Sequence, residues 1–150
     1  MMRLFLFSLV LMMGAFQAVP AAADEPAIYT SWRNDVAVGG YDVLSFYSGK
    51  PVEGKSDYSY TYKAATWYFA NQANLDLFKT NPEAFEPQYG GYCAWAIAKG
   101  KLAKGSPKHA HVEDGKLYLN FNGRIKRRWD KRRNEFITAA NARWPEILED

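Results

Sequence analysis

The side chains best suited to chemistry are one cysteine, Cys93, and two histidines, His109 and His111, which are the only residues of these types in the 150-residue chain. The histidines are two positions apart, so both rings would project from one face of a β-strand. Two imidazoles and a cysteine thiolate form a donor set suited to copper or zinc. The sequence therefore predicts Cys93, His109 and His111 as candidate metal ligands and Cu or Zn as the cofactor, although paired histidines beside a hairpin are also common as an exposed polar face.

Cys93 lies in the segment YGGYCAWA and has two interpretations. A reactive thiol would become accessible through the flexible Gly90-Gly91 pair, and its pKa would be lowered by a nearby cation or helix N-terminus. A buried cysteine would instead pack as a small hydrophobic residue between Tyr92 and Trp95. In the buried case both a redox role and a ligand role fail, and the chain is a scaffold that binds a partner through its aromatic or basic surface.

The carboxylates Asp42, Glu113 and Asp114 are interpreted as structural. Glu113 and Asp114 precede a glycine in a pattern typical of a turn, and Asp42 follows a Gly-Gly bend that its side chain can hydrogen-bond. No complete catalytic set is present. We therefore predict no catalytic residue and a non-enzymatic protein, with a thiol-dependent redox protein acting through Cys93 as the alternative.

The first 23 residues are typical of a cleavable secretory signal. Arg3 is the only charged residue of that stretch, a nearly continuous apolar run covers residues 4–16, and three alanines end the segment at Ala23. The run is shorter than the roughly 20 residues that span a bilayer, which disfavours a retained membrane anchor. We expect a signal at residues 1–23, a single domain at residues 24–150, and a periplasmic or secreted location.

A basic run lies near the C-terminus. From Arg124 to Arg133 there are seven Lys or Arg residues and one acid, Asp130, whereas the net charge of the whole chain is only +3. We expect no nucleic-acid partner, because export removes that ligand and no recognition motif accompanies the charge. The run is expected to form a solvated helix face, or to contact anionic lipid headgroups at a membrane surface or a protein partner.

Apolar spacing and turn signals predict the elements that position these residues. The fold class is α+β, with small antiparallel β-hairpins packed against two or three helices, one of them a long basic C-terminal helix. Asn71 and Asn122 are predicted helix caps, and Leu75, Leu77 and Phe78 form the apolar stripe of the first helix. The predicted strands cover residues 43–47, 58–62, 66–69, 109–112 and 116–121.

The stretches AVGGYDVLSFY, ATWYFANQANLDLFKTNPEAFEPQYGGYCAWA and DGKLYLNF, with a last helix ending in ARWP, resemble the exported bacterial YHS domain-containing proteins. The resemblance to the YHS domain itself covers residues 40–95 and implies a metal association through cysteines. Two cysteine positions of the family correspond to Ala70 and Asn74 here, and neither side chain is a thiolate ligand. The resemblance therefore implies a YHS-like module without the metal site of the family.

Taken together, the residues and the resemblance favour a non-enzymatic periplasmic module that binds or handles Cu or Zn. The thiol-dependent redox protein and the partner-binding scaffold without metal stay as alternatives. The exposure and reactivity of Cys93 decide among the three.

Overall fold

Over residues 25–149, the computed structural model contains two separate antiparallel hairpins joined and flanked by short helices. This architecture confirms the predicted α+β class. The predicted signal at residues 1–23 lies outside the described residues. Within residues 25–149, no helix has the length and apolar character needed to cross a bilayer.

The first hairpin pairs β1 with β2 and the second pairs β3 with β4. The first turns through Lys63 and Ala64 and the second through Asp114 and Gly115, all four with positive φ, as two-residue hairpin turns require. Both predicted hairpins are confirmed. The strands are β1 (Lys55–Tyr62), β2 (Ala65–Phe69), β3 (Ser106–Glu113) and β4 (Lys116–Asn120).

The α-helices are short, and 3₁₀ segments connect or flank them. The two predicted caps are confirmed: Oδ1 of Asn71 accepts the Asn74 N–H, and Oδ1 of Asn122 accepts the Ile125 N–H, each at 2.9 Å. The helices are α1 (Gln72–Thr80), α2 (Pro82–Phe85), α3 (Ala94–Ala98), α4 (Gly123–Asp130) and α5 (Arg133–Asn141). The 3₁₀ segments are Val38–Gly40, Val43–Ser48, Gln88–Gly91 and Glu146–Glu149.

Strand β4 lies between two hydrophobic cores. Leu117 and Leu119 belong to a core with Trp67 of the first hairpin, and Tyr118 belongs to a second core with Trp129 of α4. Successive side chains of a strand point to opposite faces, so one strand can serve both cores. The two halves of the domain are thus built on opposite faces of β4.

The predicted strand at residues 43–47 is wrong, because the structure has a 3₁₀ segment at Val43–Ser48. The side chain of Asp42 caps this segment, and Gly49 ends it in a left-handed conformation, with its N–H donating to the carbonyl of Phe46. Val43 and Phe46 are three positions apart and both buried. Residues at this spacing share a face of a 3₁₀ helix but point to opposite faces of a strand, so the burial of both side chains fits the helix better.

The predicted long basic C-terminal helix is divided into α4 and α5. Arg132 has a non-helical backbone (φ −141°, ψ 43°); its N–H donates to the carbonyl of Trp129 at 3.1 Å, and its own carbonyl accepts the N–H of Phe136 at 3.1 Å. Trp129 packs on Tyr118 of β4, with ring centroids 5.3 Å apart, whereas α5 packs mainly on α3. The bend lets each helix bury its apolar face against a different element.

Candidate functional site

A buried carboxylate, Asp42, joins three segments of the N-terminal half. Its side chain has no solvent exposure (0%). Oδ1 accepts the Leu44 N–H at 2.9 Å, while Oδ2 accepts the Ala70 N–H at 2.8 Å and the Asn74 side-chain N–H at 2.7 Å. These donors come from the 3₁₀ segment Val43–Ser48, the end of β2 and helix α1. One carboxylate therefore fixes how the three segments sit relative to one another.

Neutral N–H groups satisfy this carboxylate. Among residues 25–149, no salt bridge includes Asp42. Burial of a carboxylate is costly unless hydrogen bonds replace its water, and three donors do so here. Its backbone is held as well, because the Asp42 N–H donates to the carbonyl of Val52 and the Asp42 carbonyl accepts the hydroxyl of Ser45.

The segment around residue 54 packs closely against β2, and this approach is possible because residue 54 is a glycine. The Gly54 N–H donates to the carbonyl of Gly40 at 2.8 Å. A Cβ at Gly54 would lie 2.5 Å from the backbone carbon of Tyr68, closer than any side chain permits. The segment that follows Val43–Ser48 is thereby held against β2, the strand that immediately precedes Ala70.

A groove of about 580 Å³ borders the Asp42 network. Its lining includes Ala70, Asn74, Tyr47 and Leu77. Leu77 is 49% exposed and Val52, also in the lining, is 44% exposed. The groove therefore presents apolar side chains to solvent beside polar residues of the Asp42 network.

Leu77 was predicted to belong to the buried apolar stripe of α1, but the structure leaves its side chain exposed. Leu75 and Phe78 are buried, as predicted. At about 100° per residue, Leu77 lies about 100° from Phe78 and about 160° from Leu75 around the helix axis. Leu77 thus faces away from the core and toward the groove.

Two hydroxyl groups of the groove lining, those of Ser45 and Tyr47, are engaged in structural hydrogen bonds, whereas the lining also includes the exposed cation Lys50. The hydroxyl of Ser45 donates to the Asp42 carbonyl and accepts the Val52 N–H at 3.0 Å. The hydroxyl of Tyr47 donates to the carbonyl of Phe85 at 3.2 Å, and burial raises the pKa of Tyr47 to about 12. Neither hydroxyl is prepared to act as a nucleophile or a general base near neutral pH. The arrangement is suited to binding.

Cys93 is buried, with 1% of its surface exposed. Its sulfur accepts the Phe121 N–H at 3.3 Å, and its S–H can donate to Oδ1 of Asn120 at 3.8 Å. Burial raises the pKa of the Cys93 thiol, and the backbone N–H groups of Ala96, Phe121 and Trp95 offset only part of this effect. Of the two interpretations of Cys93, the structure matches the packed and protonated thiol.

The two histidines lie on β3 and contact different groups. Nε2 of His111 is 3.5 Å from Oε2 of Glu113, and its ring packs edge-on against Trp129 with the centroids 5.7 Å apart. His109 lies beside Gly123 at the start of α4, with Cε1 3.5 Å from the position of a Cβ on that glycine.

The structure does not bring Cys93, His109 and His111 together as a ligand set. In the part of the chain that is described, no three His, Cys, Asp or Glu side chains are grouped so as to hold a metal ion. A shared Cu or Zn site of these three residues stays a prediction.

His111 belongs to a network of charged side chains between β3 and α4. Arg133 donates to Oε2 of Glu113 at 3.0 Å and to Oδ1 of Asp130 at 3.3 Å, and Lys126 contacts the other oxygen of Asp130 at 2.8 Å. Burial, followed by the charges of Arg133 and Lys126, lowers the pKa of His111. The shift favours the neutral imidazole, and the contact of its ring with Trp129 fastens the second hairpin to α4.

The residues at the family's cysteine positions do not fit a thiolate metal site. Ala70 offers only its backbone N–H, and Asn74 uses its side-chain nitrogen on Asp42. Sequence reasoning placed Asp42 at the Gly-Gly bend and missed its bonds to Ala70 and Asn74, which are 28 and 32 positions away. No local pattern signals a contact over that separation.

Comparison with known proteins gives one match. Residues 43–89 match the family model of the YHS domain. No curated protein and no solved structure shows significant similarity to the chain. The matched stretch contains the 3₁₀ segment Val43–Ser48, the first hairpin, α1 and α2, so the groove lies within it and Asp42 immediately precedes it.

Replacing Asp42 by asparagine is expected to lower the free energy of unfolding by about 3 kcal/mol, because the new amide N–H₂ would face backbone donors that lose their acceptor. Urea denaturation near pH 7 measures the change. Asp57→Asn, at an exposed position of β1, is the matched control and should change stability by less than about 0.5 kcal/mol. Equal losses in the two variants would contradict a structural role for Asp42.

Proposed function

Residues 43–89 match the family model of the YHS domain, and we propose that the protein is an exported, non-enzymatic binding module whose ligand site is the groove between Val43–Ser48 and α1. The groove volume of about 580 Å³ is in the range of sites that enclose small organic molecules. The observation that carries the proposal is that exposed Leu77 and Val52 line the same groove as the hydrogen-bonded polar residues Ser45 and Asn74.

The chemistry of the lining supports a largely apolar ligand with one hydrogen-bond donor. Leu44, Val52, Leu77 and Phe85 supply apolar contact area. The side-chain nitrogen of Asn74 is engaged with Asp42, so its Oδ1 is the atom that is left to accept a bond from a ligand. An N–H or O–H group on an otherwise apolar body matches this set.

Two features favour binding over catalysis. The carboxylate of Asp42 is saturated by three donors and is not exposed, so it is not available to move protons to or from a ligand. The thiol of Cys93 is buried and its pKa is raised, which also disfavours the thiol-dependent redox alternative. The burial of the Cys93 thiol and its raised pKa also disfavour the binding of Cu or Zn through its sulfur.

A titration with indole, an apolar molecule with one N–H donor, tests the groove. In ¹H–¹⁵N correlation spectra we expect shifts at the amides of Ser45, Ala70 and Leu77. Leu77→Glu should weaken binding about fivefold to tenfold, because it removes apolar contact and places a charge at the mouth. Trp32→Glu, which changes an exposed apolar residue outside the groove, should leave the affinity unchanged. Shifts confined to other surfaces, or equal effects of the two variants, would contradict the proposal.

The signal-like pattern of residues 1–23 supports the exported location. Expression of the full chain in a bacterial host should yield a periplasmic or secreted protein whose mass corresponds to a chain starting at Asp24, and mass spectrometry of the fractions measures this. An uncleaved chain in the cytoplasmic fraction would count against export. That result would leave the groove proposal in place, since the groove does not depend on location.

A further inference from the structure

One face of α4 and its C-cap residue carries four exposed basic side chains: Arg124, Arg127, Arg128 and Lys131, the last of which caps the helix with a right-handed helical backbone. At about 100° per residue, they fall within an arc of roughly 100° around the helix axis. Among residues 25–149, none of the four forms a salt bridge. We call these four side chains the basic face.

The other basic residues of the run have acidic neighbours. Lys126 pairs with Asp130, and Arg132 pairs with Glu135. Arg133 contacts Asp130 and also Glu113 of β3. The acids near α4 are thus engaged by Lys126, Arg132 and Arg133, and the positive charge of the basic face is left unbalanced.

The basic face has a fixed orientation on the domain. On the opposite side of α4, Trp129 is fully buried and packs on Tyr118, while Asn122 caps the first turn. The network of His111, Glu113 and Arg133 holds the end of the helix against β3. The four basic side chains therefore point outward together without further folding or ordering of the backbone.

An exposed aromatic ring lies next to this helix. Phe121 immediately precedes the cap of α4 and is 41% exposed. The ammonium group of Lys104 is 5.4 Å from the centroid of its ring. An apolar ring among cations is the combination that enters the headgroup region of a bilayer while the charges contact phosphates.

We propose that the basic face and Phe121 dock this protein on a membrane surface that contains anionic lipids. Charge complementarity supports this partner, since the four cations lack acidic neighbours. A helix face is convex, so it offers no enclosed site for a small anion and matches an extended anionic surface. The exposed ring favours lipid over a purely polar polyanion. The proposal is independent of the groove.

Binding to vesicles tests this proposal. Sedimentation with phosphatidylcholine vesicles in which about a third of the lipid is phosphatidylglycerol should show binding of residues 24–150 at low salt, with loss near about 0.5 M NaCl and no binding to phosphatidylcholine alone. Each basic side chain near an anionic surface contributes about fivefold to the partition constant. The triple variant Arg124→Gln, Arg127→Gln, Arg128→Gln should therefore bind about 100-fold more weakly.

The matched control removes three positive charges elsewhere, at exposed Lys55, Lys79 and Lys116, each changed to Gln. It should bind almost as well as the unchanged protein. Absence of binding to the anionic vesicles, or equal losses in the two triple variants, would overturn the proposal.

Phe121→Ala separates lipid from other polyanions. It should weaken vesicle binding about fivefold and leave binding to soluble polyglutamate or heparin unchanged. Binding of the unchanged protein to those polymers as tightly as to vesicles of similar charge, with no effect of Phe121→Ala on either, would show an acidic macromolecule as the partner and overturn the lipid assignment.

Discussion

The hydrogen bonds of the buried Asp42 carboxylate hold the N-terminal half of the domain together. They connect Leu44, Ala70 and Asn74, which belong to three segments that also pack in the first hydrophobic core. A buried carboxylate without such donors would be strongly destabilising, so the position of each segment depends on the others. The resemblance noted in the sequence analysis implies cysteines at positions 70 and 74. Here Ala70 and Asn74 instead donate hydrogen bonds to Asp42.

The groove follows from this arrangement. Val43–Ser48 and α1 are held apart at a fixed spacing, and the outward side of α1 leaves Leu77 in solvent beside Val52. The second core is built on the other face of β4 and positions α4, so the basic face is supported by different contacts from those of the groove. The domain can therefore hold a small ligand and contact a surface through separate parts of its structure.

Local signals in the sequence were sufficient for the hairpins and the helix caps. Alternating tyrosines, turn residues and asparagines before helices act over a few positions, and the structure has the predicted elements there. The 3₁₀ segment Val43–Ser48 has local signals that the strand prediction overlooked: the Asp42 cap, Gly49 and the three-residue spacing of Val43 and Phe46. The packing of this segment against α1 and the bend at Arg132 depend on contacts that are distant in sequence, such as the bond from Asn74 to Asp42 over 32 positions. The burial of Cys93 likewise depends on Asn120 and Phe121 of the distant second hairpin.

Amide hydrogen exchange in the native protein tests the Asp42 account most directly. The account predicts slow exchange of the Leu44 and Ala70 amides in the unchanged protein, and faster exchange of both in folded Asp42→Asn. The Cys93 amide, which donates to the carbonyl of Ala103 at 2.8 Å, is the internal reference, and its exchange should change only by the global loss of stability. Rapid exchange of the Leu44 and Ala70 amides in the unchanged protein, or equal changes at all three amides, would contradict the account.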